Sequence, residues 1–316
     1  MRITRRAVAV FTALIAVVTG AAAVLISQSA GGAPPVPASC PQRWGGGDVG
    51  GWVPAAADID GAGESLVPGS PVRAMICAYP GTNTHPGGER LAGSRILTGQ
   101  ARVMARDLAH LPVAAAPRVG GCTLMGGPMT NYLIRFAYPD GRALWVGSAE
   151  EVNSCVETTN GTSGSRSYIG PSITAAYRTG TWKPVHPDDP CQGRTLGRRG
   201  QDERMVPDGA VSVVVCGRAA SHTAKPPRRE YGEPTARDLA AMLNSADSRP
   251  SEHRCRGGGG GDDREFRLLF GYPTGPLADV RISVNCTPGV DNGLLQADLG
   301  DPVRDRVVRL APPQNG

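Results

Sequence analysis

The chain has almost no lysine and few aromatic residues, and it lacks the short motifs that mark most enzyme active sites. Lysine occurs only as Lys183 and Lys225, so arginine carries nearly all the positive charge. Aromatic residues make up 5% of the 316 positions, which leaves the core to aliphatic side chains. No serine sits in G-x-S-x-G, and neither His-Glu-x-x-His nor Ser-x-x-Lys occurs. Those absences remove the usual signatures of α/β-hydrolases, zinc proteases and penicillin-binding-type enzymes. No Cys-x-x-Cys is present, so neither a zinc ribbon nor a thioredoxin-type redox site is indicated. The first 30 residues contain no acidic residue. Arg2, Arg5 and Arg6 account for three of the 33 basic residues, leaving thirty against 28 acidic ones. A nearly neutral remainder lacks the basic footprint of a nucleic-acid binder.

What the chain does contain is one cysteine-framed pattern, twice. The first occurrence reads Cys40, Cys77, Ala105-Arg106-Asp107-Leu108-Ala109, Cys122, Phe136-x-Tyr138-Pro139-x-Gly141, Cys155 and Asn160-Gly161. The second reads Cys191, Cys216, Ala236-Arg237-Asp238-Leu239-Ala240, Cys255, Phe270-x-Tyr272-Pro273-x-Gly275, Cys286 and Asn292-Gly293. From the second cysteine onward, paired landmarks are offset by 131 to 139 positions. Two tandem units of ordinary domain size are therefore expected, at 40–182 and 191–311. They are joined by a Pro- and acid-rich seam at 183–190 and followed by a short tail at 312–316.

The first 30 residues are a targeting segment, followed by a linker at 31–39. Three arginines precede an uncharged apolar run at 7–26. The layout suits a secretory signal peptide, and its length also suits a membrane-spanning anchor with its basic end inside. Both alternatives export the remainder, secreted or attached to the cell membrane.

In an oxidising compartment, eight cysteines at repeated spacings imply disulfides, two per unit, with three possible pairings in each. Residues 132–138 and 142–147 alternate around Pro139-Asp140-Gly141, as a hairpin requires. Cys122 and Cys155 lie outside its two arms at similar distances, so hairpin register brings them together. Cys255 and Cys286 flank Pro273-Thr274-Gly275 in the same way. Elimination then pairs Cys40 with Cys77 and Cys191 with Cys216.

The remaining elements follow from periodicity. Val72–Cys77 and Val211–Cys216 read as strands ending on a cysteine. Leu97, Ala101, Met104, Leu108 and Leu111 share one helical face. A shorter helix, with Pro234 in its first turn, buries Leu239, Met242 and Leu243. Pro171 and Pro302 open two terminal helices. Hairpins demand antiparallel pairing, so each unit is α+β: a small antiparallel sheet with helices on one face.

From Cys77 the chain runs Cys77-Ala78-Tyr79-Pro80-Gly81-Thr82-Asn83-Thr84-His85-Pro86, then an Asp-Leu-Ala helix, a cysteine, a hairpin and Val152-Asn153-Ser154-Cys155. This order resembles the secreted subtilisin-inhibitor-like proteins of Streptomyces-type bacteria. The resemblance covers Val72–Cys155 and, in the second unit, only the order of cysteines and helix. It implies an antiparallel sandwich, a Cys122–Cys155 bond and a protease-binding loop just after Cys122, where Leu124 and Met125 offer an apolar side chain to a subtilisin-like pocket. The family's cysteine at the helix start has no counterpart here, and Cys40 and Cys191 take that role. In the second unit the matching loop is Arg256 followed by Gly257–Gly261, too flexible for a preorganised inhibitor loop.

Other candidates read as structure. Gly45-Gly46-Gly47-Asp48-Val49-Gly50 satisfies G-x-G-x-x-G, but a cysteine precedes it and Trp52-Val53-Pro54 follows, so it is a loop beside two partly buried tryptophans, Trp44 and Trp52. Asp58-Ile59-Asp60-Gly61 begins like a calcium loop, yet Ala62 and Gly69 stand where ligands are required. His186-Pro187-Asp188-Asp189 lies in the seam. His85, His110, His222 and His253 stand singly, with His110 placed to complement a helix dipole. Asp107 and Asp238 are expected to be solvated or capping residues. No metal or cofactor is implied. The sequence thus favours a non-enzymatic exported binding protein at or outside the cell envelope. Two alternatives are a subtilisin-type protease inhibitor and a hydrolase with an unrecognised site.

Overall fold

The computed structural model describes residues 37–97, 99–114, 125–183, 190–192, 196–219, 224–257 and 264–313. Among them are four helices and two large antiparallel sheets, an α+β architecture. Residues 1–36, Cys122, Leu124, His222, the cluster 186–189 and Gly258–Gly261 lie outside the described residues. No helix among the described residues is long and apolar enough to cross a membrane, and the apolar run 7–26 is not among them.

The first sheet is built from β1 (Arg73–Thr82), β2 (Gly93–Leu97), β3 (Pro128–Ala137), β4 (Ala143–Glu151), β5 (Thr158–Thr159) and β6 (Gly164–Ser165), in the order β2-β1-β3-β4-β5-β6. Helices α1 (Ala101–Ala109) and α2 (Gly170–Thr179) cover one face. There Met104, Leu108, Ile173 and Ala176 pack on Ile76, Ile134, Phe136 and Val146. Alternation dictates the other face: Cys77, Tyr79, Leu133 and Trp145 meet Cys40 and Trp44 from the preceding segment.

The second sheet contains β7 (Ser212–Cys216), β8 (Arg228–Gly232), β9 (Ser248–Pro250), then beyond a short β10 (Arg256–Gly257) come β11 (Glu265–Gly271) and β12 (Ala278–Ser283). After β13 (Cys286–Thr287), β14 (Val290–Asp291) and β15 (Leu295–Ala297) complete it, in the order β8-β7-β11-β12-β14-β15-β9. Helices α3 (Glu233–Asn244) and α4 (Asp301–Leu310) bury Leu239, Leu243, Val303 and Val307 on one face. Cys191 and Cys216 lie with Leu269 on the other. β10 and β13 form a separate two-stranded ribbon.

Among the described residues three disulfides have both partners: Cys40–Cys77, Cys191–Cys216 and Cys255–Cys286. Cys155 is also disulfide-bonded; its expected partner, Cys122, lies outside the described residues.

Several expectations need correction. Leu97 ends strand β2 and does not begin a helix, because Gly99 at φ +67° turns the chain before α1 starts at Ala101. Consequently α1 has nine residues and α3 twelve, so the second helix is the longer one. β1 does not stop at Cys77 but continues to Thr82. Pro80 is tolerated there because β2 pairs only Ala74–Ala78, and from Tyr79 onward β1 pairs with β3 alone.

Candidate functional site

The loop that enters β3 is held from two sides. Asn83, just beyond the end of β1, donates through Nδ2 to the Met125 carbonyl at 2.9 Å and accepts the Gly127 N–H at 2.8 Å. Its own N–H donates to the Gly127 carbonyl at 3.1 Å. From the other side Asn153, just after β4, accepts the Met125 N–H at 3.0 Å and returns Nδ2 to the Met125 carbonyl at 3.0 Å. Both backbone polar groups of Met125 are thus satisfied by side chains of the scaffold. Its own side chain is 54% exposed.

Gly126 and Gly127 make this path possible. A Cβ on Gly126 would stand 2.7 Å from Thr84 Cγ2, and one on Gly127 would stand 3.1 Å from Val152 Cγ1. Val152 is itself an exposed apolar residue, 42% accessible. Met125 and Val152 are thus exposed apolar side chains among polar neighbours where the β1 end, the loop and the β4 end converge. His85 is exposed as well, with Nδ1 hydrogen-bonded to Thr84 Oγ1 at 3.1 Å. Of the two sequence candidates, Met125 is placed here and Leu124 lies outside the described residues.

Elsewhere the sequence candidates are absorbed by the fold. Trp44 is buried, edge-on to Trp52 and beside Tyr79. A Cβ on Gly45 or Gly46 would come within 2.5 Å of Trp52, so this glycine run seats a tryptophan and no helix follows it. Asp58 and Asp60 are exposed around buried Ile59, and no cluster of three metal-ligating side chains occurs among the described residues. The segment after them is fixed by Asn160, whose Nδ2 donates to the carbonyls of Ala62, Ser65 and Leu66. Asn292 does the same for Gln201, Arg204 and Met205.

His110 stands at the C-terminus of α1, where the sequence placed it. It caps α1, and Nε2 meets Thr274 Oγ1 at 3.1 Å. Burial, followed by the charge of Arg198, holds its pKa below the ordinary histidine value. Asp107 is not solvated: it accepts Trp182 Nε1 at 2.7 Å and the Gly275 N–H at 3.2 Å. Its sequence counterpart Asp238 does behave as expected, in an exposed pair with Arg306 at 2.9 Å. Buried Arg198 stacks 3.7 Å from the Tyr272 ring centroid and donates to the carbonyls of Thr274 and Pro276. Together these contacts lock the Thr274-Gly275 turn against the end of α1.

The structure also brings Asp291, 40 positions on, to the neighbours Ser251 and His253. Ser251 Oγ donates to the Asp291 carboxylate, while His253 Nδ1 is 3.4 Å away. A nucleophilic triad needs the imidazole between hydroxyl and carboxylate; here the serine occupies the middle, so its proton is directed to the acid. A cleft of about 1300 Å³ adjoins this cluster and is walled by Tyr168, Arg166, Arg199 and Arg281. Its charges are of both signs and partly paired with one another, as in Arg199–Glu64 at 3.6 Å.

Comparison with known proteins finds no matching family model, no matching curated protein and no matching solved structure.

Proposed function

We propose that this chain is an exported, non-enzymatic binding protein made of two tandem α+β units, and that the Met125 loop recognises a subtilisin-type serine protease as an inhibitor does. The observation that carries this reading is the clamp on Met125: both backbone polar groups are held by Asn83 and Asn153 while the side chain is left exposed. An inhibitor loop gains affinity from being fixed before it binds, because little conformational entropy remains to be lost. An exposed, flexible methionine is also suited to an apolar specificity pocket.

The sequence resemblance to subtilisin-inhibitor-like domains points to the same loop. Tandem duplication is supported by the corresponding strand orders and by the paired roles of Asn160 and Asn292. Four described residues on the second sheet's side give that half a different character: Arg256–Gly257 pair with Cys286–Thr287 instead of presenting a clamped loop. Disulfides favour an oxidising, extracellular setting.

Inhibition constants of the purified protein against subtilisin-like and trypsin-like proteases test the proposal. Inhibition of the first group at sub-micromolar protein is expected. Absence of inhibition at micromolar protein, with Cys155 shown by peptide mapping to be bonded to Cys122, refutes it.

A further inference from the structure

Behind the two asparagines stands a third group. Glu151, the last residue of β4, is buried, with only 8% of its surface accessible. Its Oε2 accepts the Asn153 N–H at 2.6 Å and Asn83 Nδ2 at 3.3 Å. Its Oε1 accepts the Cys155 N–H at 2.9 Å. The intervening turn is tight: Ser154 has φ +54° and donates its N–H to the Glu151 carbonyl at 3.2 Å. One carboxylate therefore fixes the backbone that carries Asn153, touches the side chain of Asn83, and holds the start of the segment bearing the Cys155 disulfide.

We infer that Glu151 is a positioning residue for the recognition loop, setting both asparagines so that Met125 is presented in one conformation. The inference rests on the Met125 loop being the recognition element. Asn83 illustrates the chemistry. One Nδ2 hydrogen goes to Met125 and the other to Glu151, which leaves Oδ1 facing the Gly127 N–H. With Glu151 as an acceptor, only one orientation of the Asn83 amide satisfies all three contacts. Glutamine cannot replace glutamate here. Both side-chain oxygens accept backbone N–H groups, and a glutamine Nε2 at either place would set donor against donor. Carboxylate acceptors also form the stronger hydrogen bonds, so a charged group is the natural choice for holding three donors in a partly solvated turn.

Glu151→Gln tests this by two readouts. Hydrogen exchange of the Met125 and Gly127 amides in the free protein should accelerate about tenfold or more, the effect of losing one charge-assisted hydrogen bond. Amides in the centre of β3 should be unaffected. Against a subtilisin-type protease the inhibition constant should rise by a similar factor, and cleavage within the loop should become faster. Glu151→Asp keeps the charge but is one methylene shorter; it should show an intermediate exchange rate and separates positioning from folding if the glutamine variant is unstable. Unchanged exchange at Met125 and Gly127 in these variants overturns the inference. The exchange measurement needs no protease, so a wild-type protein that inhibits nothing would refute the inhibitor reading while leaving the role of Glu151 decided by exchange alone.

Discussion

Asn153 and Met125 form a closed pair: the asparagine oxygen accepts the Met125 N–H, and its nitrogen returns to the Met125 carbonyl, both at 3.0 Å. A side-chain amide thus does for this loop what a neighbouring strand does within a sheet. The pairing leaves Met125 exposed and its backbone fixed, a combination that free loops lack.

The first prediction concerns that pair. Met125→Asp should weaken protease inhibition at least about 30-fold, as loss of an interface hot spot worth about 2 kcal/mol does, with little change in stability because the side chain is exposed. Asn153→Ala should weaken inhibition through loop disorder instead. Inhibition constants beside thermal midpoints distinguish the two: Met125→Asp changes only the first.

Gly275 and Gly141 occupy matching hairpin turns with similar φ, +79° and +85°. A Cβ on Gly275 would stand 2.6 Å from His110 Cδ2, whereas one on Gly141 would meet nothing within 4 Å. Gly141→Ala should cost about 1 kcal/mol, for its backbone conformation alone. Gly275→Ala should cost about 2–4 kcal/mol, because the clash opens the α1 contact as well. Urea denaturation of both variants measures the difference.

Asn160 and Asn292 each bind three carbonyls through Nδ2, and each Oδ1 accepts two backbone N–H groups. Alanine at Asn160 should destabilise by about 2–4 kcal/mol, because buried carbonyls lose their donor, and alanine at Asn292 by less, because its carbonyls are part-buried or exposed. Asn160 is fully buried, so its loss should be the larger. Chemical denaturation of the two variants checks the ranking.

The lowered pKa of His110 should make stability fall in acid. Its folded pKa is lowered by burial and by Arg198, with Arg106 and Arg199 acting in the same direction and Asp107 opposing. The unfolded chain therefore binds a proton first. The histidine's contribution is complete above its ordinary pKa of about 6.5 and is lost as pH falls through the lowered folded value. Thermal midpoints from pH 7.5 to 5 should decline less in His110→Gln than in the wild-type protein.

Much of the fold was legible because local rules carry it. The alternation around Pro139-Asp140-Gly141 gave the β3–β4 hairpin, and Pro171, Pro234 and Pro302 stand in the first turns of α2, α3 and α4. Leu97 fits the helical face by spacing, but its apolar side chain is buried equally well from β2. The short strands β9, β14 and β15 have no pattern of their own, since two or three residues are too few to show a period.

The site was legible only as a place. Only the resemblance to subtilisin-inhibitor-like domains points to Leu124 and Met125, and the structure describes only the second. Asn83 and Glu151 carried no signal, being ordinary polar residues 42 and 26 positions from Met125 in the chain. The same holds for Asp107 and Asp238, identical in their sequence surroundings and opposite in use.

By itself the sequence determined the α+β class, the hairpins, and three of the disulfide pairings now seen, because alternation, turn chemistry and cysteine spacing act over short distances. Tertiary structure alone decided which side chains hold Met125, which aspartate bonds Trp182 and Gly275, and why Gly275 must be glycine. Those outcomes depend on segments far apart in the chain meeting at hydrogen-bond distance, and no local pattern encodes that meeting.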